Sequence, residues 1–414
     1  MRRPLLLATA AMIGLLGLPA AAVAAPATDT TQTTLDPELL SKTLDAITDA
    51  GAPSVIAEVR DGDDVWADAS GERDKWTKTP TKSTDLVRVA SITKSMVTTV
   101  VLQLVESGDL HLSDTVQDRV PGLVPYTEPI TVENLLGHTS GIPDYFPEVF
   151  PSFWEGKPDD VKWKRWLPVS PEKLIDSVSD QPLHFTPGEM WSYSNTGYVV
   201  LGLMIEDITG NSLERELKTR VLQPAGMGKT QLPTWNPFIM GPHPRAQFAT
   251  GYSEEPYYDT TEMNPSIFWS AGHAVAPVSD INNLYAALSD GTLLSRESLA
   301  TMRTLSPQSG GTYGLGLQAL PVGGCDDFPD GVAFGHTGGA LGASSFSFHS
   351  PDGERQLTFT YLVDDQFDPN PQLAAAMGNF LNAALCDVDT TGGVTTFGGD
   401  NLGDMILDRW TARN

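Results

Sequence analysis

The stretch that most limits the fold runs from Val332 to Leu385. Val332–His336, Ala343–Ser350 and Gln356–Val363 are apolar, β-branched and aromatic runs separated by turn residues, Pro351-Asp352-Gly353 among them. Short strands joined by such turns form an antiparallel meander. Pro371 to Leu385 then shows helical spacing with proline at its start, which predicts a closing helix. Near the other end, Asp36 to Ala50 has a helical pattern with Asp36 as N-cap. Ser54–Arg60 and Val65–Gly71, joined at Asp61-Gly62-Asp63, read as two strands. Thr131–Leu136, Pro171–Val178, Tyr198–Thr209 ended by Gly210, and Ser212–Leu222 read as helices. Ala271–Val278 and Gly314–Leu320 are strand-like. Residues 142–170 are rich in proline and aromatics, the composition of either a binding loop or a surface excursion with its own small core.

A net charge of −26 over 414 residues argues against a nucleic-acid partner, because phosphate binding needs a basic surface. Residues 1–25 carry the marks of a signal peptide: Arg2 and Arg3, an apolar stretch from Leu5 to Leu18, then Ala22-Val23-Ala24. No cysteine follows that could take a lipid, and no other apolar run is long enough to span a bilayer. The expectation is a secreted protein without a membrane anchor. In an oxidising compartment, the two cysteines, Cys325 and Cys386, suggest one disulfide closing a loop of about 61 residues. Two buried free thiols are the alternative. Residues 387–414 are Gly/Thr-rich, then weakly amphipathic, and are expected to form a flexible tail.

Three stretches carry chemistry. Ser91 and Lys94 stand three residues apart at the start of a helical pattern ended by Gly108, so Oγ and the amine can meet on one face. A serine hydroxyl needs a neighbouring base, and a helix N-terminus favours an oxyanion beside it. Alone, the pair also fits a helix cap with a solvent-facing lysine. About 100 residues later, Tyr193 and Asn195 lie in a polar loop before a helix, offering a phenol for proton transfer and an amide. About 140 residues after that, His336-Thr337-Gly338-Gly339 ends a strand pattern, where glycine permits close approach of a substrate backbone.

The order Ser-x-x-Lys, Tyr-Ser-Asn, His-Thr-Gly resembles the serine penicillin-recognising superfamily. It looks most like a secreted D-alanyl-D-alanine carboxypeptidase related to class C β-lactamases. The likeness covers roughly residues 36–386 and takes in Gln103-Leu104-Val105, Leu135 to Gly141 and Tyr313 to Leu317. The Cys325/Cys386 pair also matches the disulfide of such enzymes. The resemblance implies an α+β fold of the β-lactamase/DD-peptidase type. An antiparallel sheet flanked by helices would come from residues near 36–90 and 260–386, with a mostly helical lobe, 91–255, inserted, and the cleft between. It implies Ser91 as acylated nucleophile, Lys94 as its proton partner, Tyr193 as general base and acid, and Asn195 orienting the substrate amide. His336 and Thr337 would bind the substrate's polar end, and the backbone N–H groups of Ser91 and Gly339 would form the oxyanion hole. Trp269 would lie over the substrate, or else be a packed core residue. No metal or organic cofactor is called for. Peptidoglycan stem peptides would be the substrate and β-lactams the acylating inhibitors of a monomeric enzyme. The alternatives are a D-aminopeptidase, a D-peptide endopeptidase or an esterase with the same chemistry, or a non-catalytic β-lactam or peptide sensor. Two departures favour the former group: Gln318 stands where the carboxypeptidases place an arginine, and Gly339 where they place a threonine. Both replaced groups hold a terminal carboxylate.

Overall fold

The computed structural model describes residues 35–154, 159–250, 256–322, 325, 328, 330–363 and 370–390. The expected signal peptide and nearly all of the expected tail lie outside the described residues.

Helix α1 (Pro37–Asp49) begins where Asp36 accepts from the backbone N–H groups of Glu38 and Leu39. Strands β1 (Ser54–Asp61) and β2 (Asp64–Asp74) follow as a hairpin, then the short β3 (Thr79–Pro80). The chain leaves the sheet for α2 (Thr93–Ser107), α3 (Val132–Leu136) and α4 (Asn195–Thr209). Gly108 and Gly210 end α2 and α4 in the left-handed conformation that favours glycine. Thr131 and Asn134 form a reciprocal capping box on α3. The chain returns through α5 (Val278–Ser289) to β4 (Gln318–Pro321), β5 (Val332–Ala340), β6 (Ala343–His349) and β7 (Arg355–Leu362). It closes with α6 (Pro371–Cys386).

The seven strands form one antiparallel sheet in the order β3-β2-β1-β7-β6-β5-β4. Alternation along β1 and β7 divides the side chains between two layers. Val55, Ala57, Val59, Leu357, Phe359 and Tyr361 pack with Leu40, Leu44, Phe380 and Leu381 of α1 and α6. Thr358 and Glu58 meet Asn282 of α5 on the opposite face. Buried Arg355 ties β7 to the end of α6, donating to the Ala384 carbonyl at 2.7 Å and to Asp387 at 2.6 Å. Cys325 and Cys386 are joined there, with 4.9 Å between Cα atoms.

Several elements differ from expectation. β5 runs on through His336-Thr337-Gly338-Gly339 to Ala340, so the third motif lies inside a strand rather than at its end. Of 271–278 only Val275–Ala276 is strand, and of 314–320 only the last three residues. Residues 212–222 divide into an α-helical turn and a π-helical turn. The expected helical lobe holds helices up to Leu222, after which 223–250 is irregular apart from Gln247–Ala249. Helix α5 was not foreseen. Its polar residues Asp280 and Asn282 are buried, which blurs the apolar stripe that marks a helix.

Candidate active site

Ser91 lies in a single 3-10 turn, Ala90–Ile92, that feeds directly into α2. Ala90, just before it, has φ +48°, a left-handed conformation that costs a non-glycine residue energy. Gly338 of β5 explains what holds the turn there. A Cβ at Gly338 would stand 2.1 Å from the Val89 carbonyl oxygen, so only glycine lets the strand press this close to the serine turn.

Lys94 is fully buried. Its Nζ donates to Ser91 Oγ at 3.2 Å, Asn195 Oδ1 at 2.8 Å and the Ala271 carbonyl at 2.7 Å. It also stands 4.9 Å from the Tyr193 ring centroid and 5.3 Å from that of Tyr198. Three acceptors match the three hydrogens of an ammonium, and two ring faces add cation–π attraction, so the buried charge is compensated. Burial pushes the Tyr198 phenol far above its ordinary range, leaving it a neutral neighbour that donates to the Leu136 carbonyl.

Asn195 opens α4 and faces two ways. Its Nδ2 donates to Asp144 Oδ2 at 2.9 Å. Burial raises the Asp144 carboxyl above the usual carboxylate range; the Phe146 N–H, the Lys94 charge and the Asn195 amide pull the other way.

A hydrogen-bonded chain crosses the far wall. The Ser194 N–H donates to His138 Nδ1 at 3.2 Å; His138 Nε2 is 3.1 Å from the Tyr313 hydroxyl. That hydroxyl is 2.9 Å from His336 Nε2, and His336 Nδ1 is 2.5 Å from the Thr337 carbonyl. The backbone groups at the two ends fix the direction. An N–H only donates, so His138 carries its proton on Nε2 and gives it to Tyr313. A carbonyl only accepts, so His336 carries its proton on Nδ1 and takes the Tyr313 hydrogen at Nε2. Both ring nitrogens of His336 thus have partners within the protein.

The edge of β5 beside Ser91 is left open by β4, which pairs only with residues 332–335. The Thr337 N–H points away from β6 and donates to Gln318 Oε1 at 2.8 Å. Two residues on, the Gly339 N–H faces the same way by strand alternation. Thr337 Oγ1 is buried and has no hydrogen-bond partner among the described residues.

Ser91, Lys94, Asn195 and, through ring contacts, Tyr193 are thus brought together. His336 is 0% exposed and its ring centroid is 6.5 Å from that of Tyr193. Trp269 must be corrected. It is 4% exposed, its ring packs where a Cβ of Gly202 would stand, and its Nε1 donates to Glu214 at 3.1 Å. It is a core residue of the helical lobe rather than a cover over the substrate. Sequence reasoning assigned no role to Asp144, His138 or Tyr313. The last two lie within stretches that carried the family likeness, which was the signal for them.

The chain belongs to the Beta-lactamase family, whose profile matches residues 40–381. It is a serine hydrolase of the penicillin-binding-protein and β-lactamase type. Among curated relatives, Penicillin-binding protein 4* of Bacillus subtilis is 28% identical over 347 residues, 79% of this chain and 72% of that protein. The putative penicillin-binding protein PbpX of Bacillus subtilis is 32% identical over 235 residues, 56% of this chain. The match spans only about half of that relative, 53% of its length. Among solved structures, a D-stereospecific amidohydrolase from Streptomyces superposes with TM-score 0.72 at 30% identity, covering 85% of this chain and 99% of that one. Among the described residues, no helix is long and apolar enough to cross a membrane.

Proposed function

We propose that this protein hydrolyses amides, peptides or esters of D-amino acids through an acyl-enzyme on Ser91, without requiring a free C-terminal carboxylate. The observation that carries the reading is Gln318, which stands on the Thr337 N–H where a cation would be needed, beside a buried His336 whose two ring nitrogens are held by Tyr313 and the Thr337 carbonyl. Such an edge offers hydrogen bonds to a polar end but little Coulomb attraction to an anion. The resemblance to a D-stereospecific amidohydrolase supports the same reading.

In this mechanism the Lys94 ammonium, bonded to three acceptors and lying over the Tyr193 ring, favours negative charge as it develops on the phenol. Tyr193 takes the Ser91 proton as Oγ attacks the acyl carbon, then passes it to the departing nitrogen or oxygen. The oxyanion sits between the N–H groups of Ser91 and Gly339. Water repeats the sequence and releases the acid. Peptides and other small acyl compounds would be substrates, β-lactams would acylate Ser91, and the protein would act as a secreted monomer.

The second reading is D-alanyl-D-alanine carboxypeptidase or transpeptidase action on peptidoglycan stems, favoured by the likeness to penicillin-binding proteins. Matched substrates separate the two. Ester or amide ends on a D-amino acid peptide should give kcat/KM within about tenfold of the free acid, a gap of roughly 1.4 kcal/mol in barrier. A preference for the free acid of about a hundredfold or more between pH 6 and 9 restores the carboxypeptidase reading.

A further inference from the structure

Asn195 bridges two ionisable groups, with Nδ2 2.9 Å from Asp144 Oδ2 and Oδ1 2.8 Å from Lys94 Nζ. An ionised carboxylate only accepts and an ammonium only donates, so the amide has one orientation. One of its N–H groups is committed to Asp144, and the other is left to meet a ligand carbonyl. Asp144 is itself clamped. Its Oδ1 accepts from the Phe146 N–H at 3.2 Å. Thr196 Oγ1 takes the Tyr145 N–H at 2.9 Å and donates to the Pro143 carbonyl at 2.7 Å. These bonds fasten both neighbours of Asp144 to the first turn of α4, next to Asn195. The Tyr145 hydroxyl adds a bond to the Ile267 carbonyl at 2.5 Å, four residues before the Ala271 carbonyl that holds Lys94.

We infer that Asp144 is a positioning residue for the reaction: its carboxylate locks the Asn195 amide so that Oδ1 fixes Lys94 against Ser91 while the second amide N–H receives the acyl substrate. Without that carboxylate the amide can turn over. Its Nδ2 would then face the Lys94 ammonium donor to donor and push the amine away from Ser91. The groups facing Asp144 are Lys94 from α2, the adjacent Tyr145, the Phe146 N–H, and Asn195 at the start of α4. The inference rests on the serine-acylation reading above.

The test is the acylation rate by a fluorescent penicillin in the wild type, Asp144→Asn, Asn195→Ala and the double variant. A neutral amide at 144 can pair with Asn195 either way round, so Asp144→Asn keeps the shape and loses the lock. It should slow acylation by about 10- to 100-fold, the scale of a catalytic group misplaced by an ångström. In the Asn195→Ala background it should add less than about twofold, because its effect passes through Asn195. Asp144→Glu, which keeps the charge, should recover part of the rate. The fall in wild-type acylation at the acid end should flatten in Asp144→Asn, which a merely structural residue would not produce. Penalties that multiply in the double variant, or an Asp144→Asn rate within about threefold of wild type, overturn the inference. If Asp144→Asn does not fold, Asp144→Glu and the wild-type acid limb decide: a Glu variant no better than Asn195→Ala, or acylation unchanged on acidification, overturns it. If the wild type takes no label on Ser91, the reading beneath it fails instead.

Discussion

The Tyr313 hydroxyl stands 2.9 Å from His336 Nε2, and with the Thr337 carbonyl at Nδ1 it leaves neither nitrogen of this buried imidazole without a partner. Tyr313→Phe removes that partner and leaves His336 Nε2 open to a proton. The ratio of kcat/KM for an acid over its matched amide should be nearly flat with pH in the wild type. In Tyr313→Phe it should rise several-fold from pH 8 to pH 6, as a cation forms next to the carboxylate. His336→Lys should raise it at both pH values. An acid/amide ratio in Tyr313→Phe that tracks the wild type across this range contradicts the role given to the bond.

Gly338 sets the distance between the strand edge and the turn that carries Ser91. Gly338→Ala places a methyl 2.1 Å from the Val89 carbonyl oxygen, and backbone on both sides must move. Displacement of the oxyanion donor by an ångström costs on the order of 100-fold in rate. The variant should lose about that much kcat/KM while keeping a cooperative melt. Full activity in Gly338→Ala would show that the close approach is not needed.

The Cys325–Cys386 pairing closes a loop of 61 residues between the segment after β4 and the end of α6. In the chain-entropy account such a crosslink contributes roughly 4 kcal/mol. Thiol titration of the denatured, unreduced protein should find no free thiol, and Cys325→Ser with Cys386→Ser should lower Tm by several degrees. Two titratable thiols per chain would reject both the bond and the oxidising compartment.

Burial depresses the pKa of His349, with the charges of Arg60 and Arg303 adding to the effect. His273 is depressed by burial, against the Trp269 carbonyl and Glu214. Both are neutral in the folded protein and take protons more readily when it unfolds. The sign follows: stability is complete above the unfolded value of about 6.5 and falls as pH drops below it, by up to 1.4 kcal/mol per unit for each group. Chemical denaturation at pH 7.5, 6 and 5 should show that decline, with a smaller slope in His349→Gln. An unchanged slope in that variant removes His349 from the explanation.

Much of this was legible in the sequence where one local signal sufficed. The strand runs and turn at β6 and β7, the Asp36 and Thr131 caps and the Gly108 and Gly210 stops all act through near neighbours. Helix α5 was hidden because Asn282, buried against Glu58 and Thr358, replaces the apolar residue a helical stripe needs. The candidate catalytic residues were read as residue types at characteristic spacings, but their joining depends on topology. Lys94 reaches Asn195 and Ala271 only because α2, α4 and the 269–271 turn converge. Asp144 gave no signal, since Gly141-Ile142-Pro143-Asp144-Tyr145 has no periodicity and its partner lies 51 residues away.

The central claim is that Ser91 is acylated with Lys94 and Tyr193 as its proton machinery, and the direct measurement is mass spectrometry of the intact and digested protein after incubation with a penicillin. One adduct should appear, of the full mass of the penicillin, on the peptide containing Ser91, and none should form in Ser91→Ala. An adduct on another residue, with Ser91→Ala still turning over D-amino acid amides or esters, would contradict the account.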